Sequence, residues 1–233
     1  QRRKPATRRG CAKPPDVHYL WVAFTLLGAV GQTARNAMQR GLTPNLGALG
    51  ATLVRFLFGF PFALLFLSVV LAWTQAALPA INHDFVLWIL LGALTQIGGT
   101  ALILMTMEHR SFVVTTAYLK TEPVLVALMG LAFLGDPLTT AMALAIFVAM
   151  AGVALISVKP EALTGGVKPA LLGLSSAAMF AASAIGYRGA ILALHQSSFM
   201  LGATFSLVVG LTLQTLLLLA WLLVFNREIL SKL

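Results

Sequence analysis

Among the seven Asp and Glu residues of this 233-residue chain, Glu122 stands about halfway along an apolar run long enough to cross a bilayer. Its surroundings, Tyr118-Leu119-Lys120-Thr121-Glu122-Pro123, put a cation, a carboxylate and a helix breaker close together. Ionisable groups at membrane depth are costly, and they mark substrate paths, ion routes or proton relays. Lys120 and Glu122 are two residues apart, roughly 200° around a helix, so they do not face each other. Arg55, in another apolar run, is the natural partner. It lies ten residues past Asn45, and Glu122 lies eleven past Ser111. At about 1.5 Å per residue both reach ~15 Å, the middle of a bilayer. Such a pair could grip a zwitterion or an organic anion, or could be a structural ion pair. Pro123 removes a backbone donor and leaves the Leu119 carbonyl without its helical partner, which predicts a bend.

Other polar groups at depth are amides and hydroxyls. Gln32, Arg35, Asn36 and Gln39 fall at i, i+3, i+4 and i+7, one helix face that must look at water or at other helices. Arg35 and Gln39 could instead snorkel to the interface. Gln96 shares a face with Gly92 and Gly99, and Tyr118 with Thr115 and Glu122. Ser176, Ser183 and Tyr187 share another, and Gln214 follows Gly210 by one turn. The candidate substrate-binding set is therefore Gln32, Arg35, Asn36, Arg55, Gln96, Tyr118, Lys120, Glu122 and Tyr187. Interhelical hydrogen bonding is the competing role for the amides and hydroxyls. No nucleophile–base pair and no phosphate-binding glycine loop is present. His18, His83, His109 and His195 have no metal-ligand spacing, and the single cysteine is Cys11. Neither a catalytic residue, a metal nor a cofactor is expected.

The elements that position these groups are membrane helices. Hydrophobic residues make up 59 % of the chain and charged residues 10 %, where a soluble domain carries about 25 % charged. Mean hydropathy is +0.90. Seven spans follow: Val17–Gln39, Asn45–Trp73, Phe85–Met107, Ser111–Leu134, Thr139–Val158, Pro169–Leu194 and Ser198–Phe225. Turn chemistry separates them at Gly41…Pro44-Asn45, Pro79…Asn82, Gly135-Asp136-Pro137 and Pro160…Gly165-Gly166. Ala141, Ala145, Ala149 and Gly152 form a small-residue stripe suited to close helix packing.

A net charge of +9 would suggest nucleic acid in a soluble protein, but six of the sixteen Lys and Arg residues lie in the first thirteen positions. That pattern is a basic tail beside an anionic membrane surface, and no nucleic-acid partner is expected. The tail places the N-terminus in the cytoplasm, whereas Arg40, Arg110, Lys159, Lys168, Arg227 and Lys232 all fall on the opposite side. The two orientation signals conflict.

The chain also repeats itself. Leu26-Leu27-Gly28 recurs as Leu171-Leu172-Gly173, Arg40-Gly41 as Arg188-Gly189, and Leu49-Gly50-Ala51-Thr52 as Leu201-Gly202-Ala203-Thr204, at offsets of ~145, ~148 and ~152 residues. Duplicated helix bundles are a transporter plan. The expected organisation is a basic tail (1–16), a first five-helix repeat (17–158), a linking loop (159–168) and the first two helices of a second, truncated repeat (169–233).

The run Thr121-Glu122-Pro123-Val124…Gly130…Phe133-Leu134-Gly135-Asp136-Pro137-Leu138-Thr139, closing at Ala151-Gly152-Val153, resembles the drug/metabolite transporter superfamily in its EamA-like branch. Asp136 stands where Glu is commoner, and Arg55 matches an Arg that members often carry in helix two. The resemblance implies an all-α polytopic membrane protein with inverted five-helix repeats, ten helices in all, of which seven are present. It also implies a central cavity lined by helices one to four and six to nine.

Together these readings predict a secondary transporter, an exporter of small polar metabolites such as amino acids, in a bacterial inner membrane. Its partners are the lipid bilayer, a small-molecule substrate and protons as the coupling ion, since burial tends to raise a carboxylate's pKa. The rivals are a membrane-embedded enzyme acting on lipid-linked substrates, whose site would sit near the head groups, and a non-transporting scaffold, which needs no buried charge.

Overall fold

A computed structural model describes residues 20–109, 112–135, 137, 139–157, 167–196 and 198–230. The basic tail, residues 159–166 of the predicted 159–168 loop, and the predicted termini Val17, Ser111 and Val158 lie outside the described residues, while Val167 and Lys168 are already helical. Among those described the chain is all helical: α1 (Leu20–Thr74), α2 (His83–His109), α3 (Phe112–Leu119), α4 (Glu122–Leu134), α5 (Thr140–Ser157), α6 (Val167–Ala193), α7 (Phe199–Phe225) and the short α8 (Arg227–Leu230). Five stretches are long and apolar enough to span a membrane, and one of them, Val22–Thr74, has the length of two crossings. With α5 as a shorter apolar helix, each of the seven predicted spans is helical over most of its described residues, the fourth being divided at Lys120–Thr121.

α1 is two helices joined at Gly47, whose φ of 67° and ψ of 174° interrupt otherwise helical backbone. The turn predicted over Gly41–Asn45 is therefore displaced: those residues stay helical and the chain bends two residues later. That backbone region is accessible essentially to glycine alone, so the site of the break follows from Gly47 rather than from Pro44. Gln39 clasps the bend, its Nε2 donating to the Ala51 carbonyl at 3.2 Å. Ile229 of α8 presses on Gly50 so closely that a Cβ there would lie 2.8 Å from it. A Cβ at Gly47 would meet no atom within 4 Å, so Gly47→Ala is expected to cost about 1–3 kcal/mol through backbone strain alone. Gly41→Ala, helical and equally open, is expected to be neutral or better. Melting temperatures of the two purified variants check this, and equal values would contradict the glycine-specific bend.

The chain divides into two compact units, residues 1–38 and 39–233. In the first, the described residues are helix, exposed along most of its length. In the second, α2 and α6 form the most extensive helix pair among the described residues. Buried clusters join the 48–74 arm of α1 to its neighbours: Leu67 and Val70 with Phe85, Ile89, Ala190 and Phe205, and Leu53 and Phe56 with Leu218 and Leu222.

Caps fall where the turn residues predict. Asn82 Oδ1 accepts from the Phe85 N–H at 2.7 Å while its Nδ2 donates to the Ala193 carbonyl at 2.5 Å, tying the start of α2 to the end of α6. Gly135 closes α4 in the left-handed region, at φ 68°. The predicted bend at Pro123 is a full break. The Lys120 and Thr121 amides donate three residues back, to Ala117 and Tyr118, and α4 restarts with Pro123 in its first turn, where a missing N–H costs nothing. Along the small-residue stripe on α5, Ala141 and Ala145 are exposed, Ala149 and Gly152 are half-buried, and a Cβ on Gly152 would meet nothing within 4 Å.

Candidate functional site

Helices gain little from burying apolar surface when lipid surrounds them, so close backbone approach and interhelical hydrogen bonds hold them together. The α2–α6 seam uses both. A Cβ on Gly186 would lie 2.6 Å from the Gly92 nitrogen and 2.7 Å from its Cα, so the two backbones touch. The ring of Trp88 lies over Gly189, whose lack of a Cβ makes room for it. Along the seam Ser183 Oγ donates to Gln96 Oε1 at 2.5 Å, and Ser176 Oγ donates to the Gly99 carbonyl at 2.7 Å. Gln96 is the central residue of α2, so the amide sits mid-span.

Two further elements bring polar groups to this seam. Arg55, half-buried on the 48–74 arm, donates from Nη1 to Thr100 Oγ1 at 3.5 Å, and Thr100 in turn donates to the Gln96 carbonyl at 2.8 Å. Tyr187 of α6 reaches α7, where its hydroxyl accepts from Gln214 Nε2 at 2.8 Å. Gly210 makes room for it: a Cβ there would lie 2.6 Å from the Tyr187 hydroxyl. The Arg55 charge is close enough to act on that hydroxyl electrostatically. Arg55, Gln96 and Tyr187, three of the sequence-predicted residues, thus belong to one polar cluster with Thr100, Ser183 and Gln214.

The remaining candidates lie elsewhere. Lys120 is exposed in the α3–α4 break and Glu122 is half-buried at the first residue of α4. The Lys120 charge acts on Glu122, while Arg55 is placed beside Thr100. Tyr118 is buried across Gly173, where a Cβ would lie 2.5 Å from the ring. Gln32 and Arg35 are exposed and Asn36 is half-exposed on the helix of the first unit. Gln39 is not an interfacial side chain, because the clasp on Ala51 buries it.

Thr100 escaped the sequence reading. It lies one turn past Gln96, and that i+4 spacing was the signal available. In a membrane its hydroxyl and the Gln96 amide can act as donors and acceptors toward a polar solute, and the Arg55 guanidinium can recognise an anionic group.

Gln214 is 1 % exposed, so truncating its partner strands an amide. Tyr187→Phe and Gln214→Leu are each expected to cost about 1–3 kcal/mol, and the double variant little more than either alone. A double-mutant cycle on melting temperature checks this, and strict additivity would show that the hydrogen bond contributes nothing.

A sequence model described as the EamA-like transporter family matches residues 19–158, more than half of the chain. Comparison with curated proteins and with solved structures returned no match.

Proposed function

The chain belongs to the EamA-like transporter family, within the drug/metabolite transporter superfamily, and on that premise we propose that it is a secondary transporter exporting a small zwitterionic metabolite of the amino-acid class. Family members are transporters rather than enzymes, and the multi-pass helical architecture agrees with the family. The observation that carries the substrate class is the mid-span polar cluster: a half-buried guanidinium beside Thr100, Gln96, Ser183 and the Tyr187–Gln214 pair. A carboxylate ligand suits Arg55, and an ammonium group suits Glu122, the one carboxylate well inside a span. Gln32, Arg35, Asn36, Tyr118 and Lys120 complete the proposed substrate path, with protons as the coupling ion through Glu122. The proposal includes a bacterial inner-membrane location and two inverted five-helix repeats, supported by the recurring Leu-Leu-Gly, Arg-Gly and Leu-Gly-Ala-Thr segments.

Purified protein in liposomes is expected to exchange labelled amino acids with counter-substrate, and an imposed pH gradient is expected to drive their uptake. In Glu122→Gln the gradient-driven component should disappear while exchange persists. No exchange of any zwitterion above empty liposomes would overturn the substrate class; gradient-driven uptake surviving in Glu122→Gln would remove the carboxylate from coupling.

A further inference from the structure

On the far side of α6 from the polar cluster lies a cavity of about 680 Å³ between α4, α5 and α6. Val124, Leu125 and Leu128 of α4, Met150 of α5, and Leu174 and Ala178 of α6 line it. At about 100° per residue, Leu174 and Ala178 point away from Ser176, Ser183 and Tyr187, so this space is separate from the site described above. It lies within the spanning stretches Val114–Leu134 and Lys168–Ala193.

Three comparisons decide what fills it. Water would need about twenty molecules at ~30 Å³ each, every one seeking two to four polar partners. The lining offers only the hydroxyls of Thr121 and Ser175, and Thr121 already donates to the Tyr118 carbonyl at 2.8 Å. A further spanning helix, about 10 Å wide and ~30 Å long, displaces roughly 2,400 Å³, more than three times the space. A hydrocarbon chain is thinner and asks for no hydrogen bond. The wall residues Leu128, Met150 and Leu174 are 49 %, 56 % and 43 % exposed, so the cavity opens outward from the described helices, and its apolar wall within spanning stretches suits an acyl chain.

We propose that this cavity is a lipid site that seats one acyl chain of a bilayer phospholipid between α4, α5 and α6. The seated chain lies against the α3–α4 break, because Thr121 is part of both the break and the lining. The site does not depend on what the protein transports.

The test uses the full chain in nanodiscs containing a phospholipid with a diazirine midway along one acyl chain, with labelled peptides mapped after photolysis. The wild type is expected to label at Val124–Leu128, Met150 and Leu174–Ala178 well above Phe62 and Phe66, which are simply exposed. Ala178→Phe and Ser175→Phe place an aromatic ring in the cavity and should lower that labelling about tenfold, the effect of excluding even about two methylenes of chain, with labelling at Phe62 and Phe66 unchanged. Ser175 is exposed, so its replacement should fold even if Ala178→Phe does not. Wild-type labelling at the cavity no higher than at Phe62 and Phe66 would overturn the proposal, as would full labelling in a folded, ring-filled variant. An unlabelled cavity together with disulfide cross-linking of Leu128→Cys between two copies would replace the lipid by a second copy of the chain.

Discussion

One methyl group added at Gly186 is expected to lower stability by about 3 kcal/mol or more, at the upper end of what overpacking costs. Glycine in a helix interior is ordinarily worse than alanine by about 1 kcal/mol, so an unconstrained site would gain from the change. Gly186 reverses the sign because the atoms opposing its missing Cβ, at 2.6 and 2.7 Å, are backbone of Gly92. A flexible side chain could swing aside; a helical main chain cannot without moving α2 as a whole. The carbonyl of Trp88, at 3.0 Å, closes the remaining direction. Gly59→Ala is the matched control, since its nearest atoms are Leu211 methyls at 3.7 Å, an ordinary contact. Gly59→Ala should match the wild type or exceed it slightly in melting temperature, while Gly186→Ala should be recovered poorly and melt well below it. Equal melting of the two variants would mean that the helices are not in backbone contact.

Replacing Arg55 by glutamine should act on transport rather than on folding. The guanidinium carries five donors, and its bond to Thr100 is long at 3.5 Å, near the limit at which a hydrogen bond is worth counting. Its contact with the Phe56 ring, 5.8 Å to the centroid, is of the kind worth about 0.5–1 kcal/mol. Loss of these two contacts should lower stability by about 1 kcal/mol. A substrate carboxylate held by Arg55 loses a charged hydrogen bond of about 1.5–3 kcal/mol, so exchange flux at limiting substrate should drop roughly 10- to 100-fold. Arg55→Lys keeps the charge but not the planar fork, and should recover only part of that loss. Wild-type flux in Arg55→Gln would remove this residue from the substrate path and leave it a structural side chain.

The contrast between what could and could not be read beforehand follows from how membranes reward sequence. Spanning helices were legible because each needs about 20 apolar residues, and their ends because Asn82, Ser198 and Gly135 are residues with capping chemistry. The break at Lys120–Thr121 was legible from Pro123. The bend in α1 was misplaced because Gly41, Pro44 and Asn45 all look like turn residues yet all accept helix here. Packing chose among them, through the Gln39 clasp and Ile229 on Gly50. Gln96 and Tyr187 stood out as polar groups at depth, whereas Thr100 did not. Threonine can return its hydroxyl to the carbonyl one turn back, as Thr52, Thr74, Thr106 and Thr212 also do, so its presence in a span costs little and signals little. Pairing Arg55 with Glu122 rested on equal depth, parallel helix direction and the lack of another opposite charge at that depth, none of which carries azimuth.

The contact between α2 and α6 also bears on which parts of the protein are able to move. Asn82 pins one end of the pair and the Gly92–Gly186 contact pins its middle. Sliding by a helical turn would move Trp88 off Gly189 and Tyr187 off Gly92, the glycines that make room for them. The pair therefore works as a fixed spindle. Any alternation of access to the mid-span cluster has to be carried by segments that bend around it, and the two built-in bends among the described residues of the second unit are at Gly47 and at Lys120–Thr121. One sits eight residues before Arg55 and the other immediately before Glu122, so each joint lies close to one of the charges it would reorient.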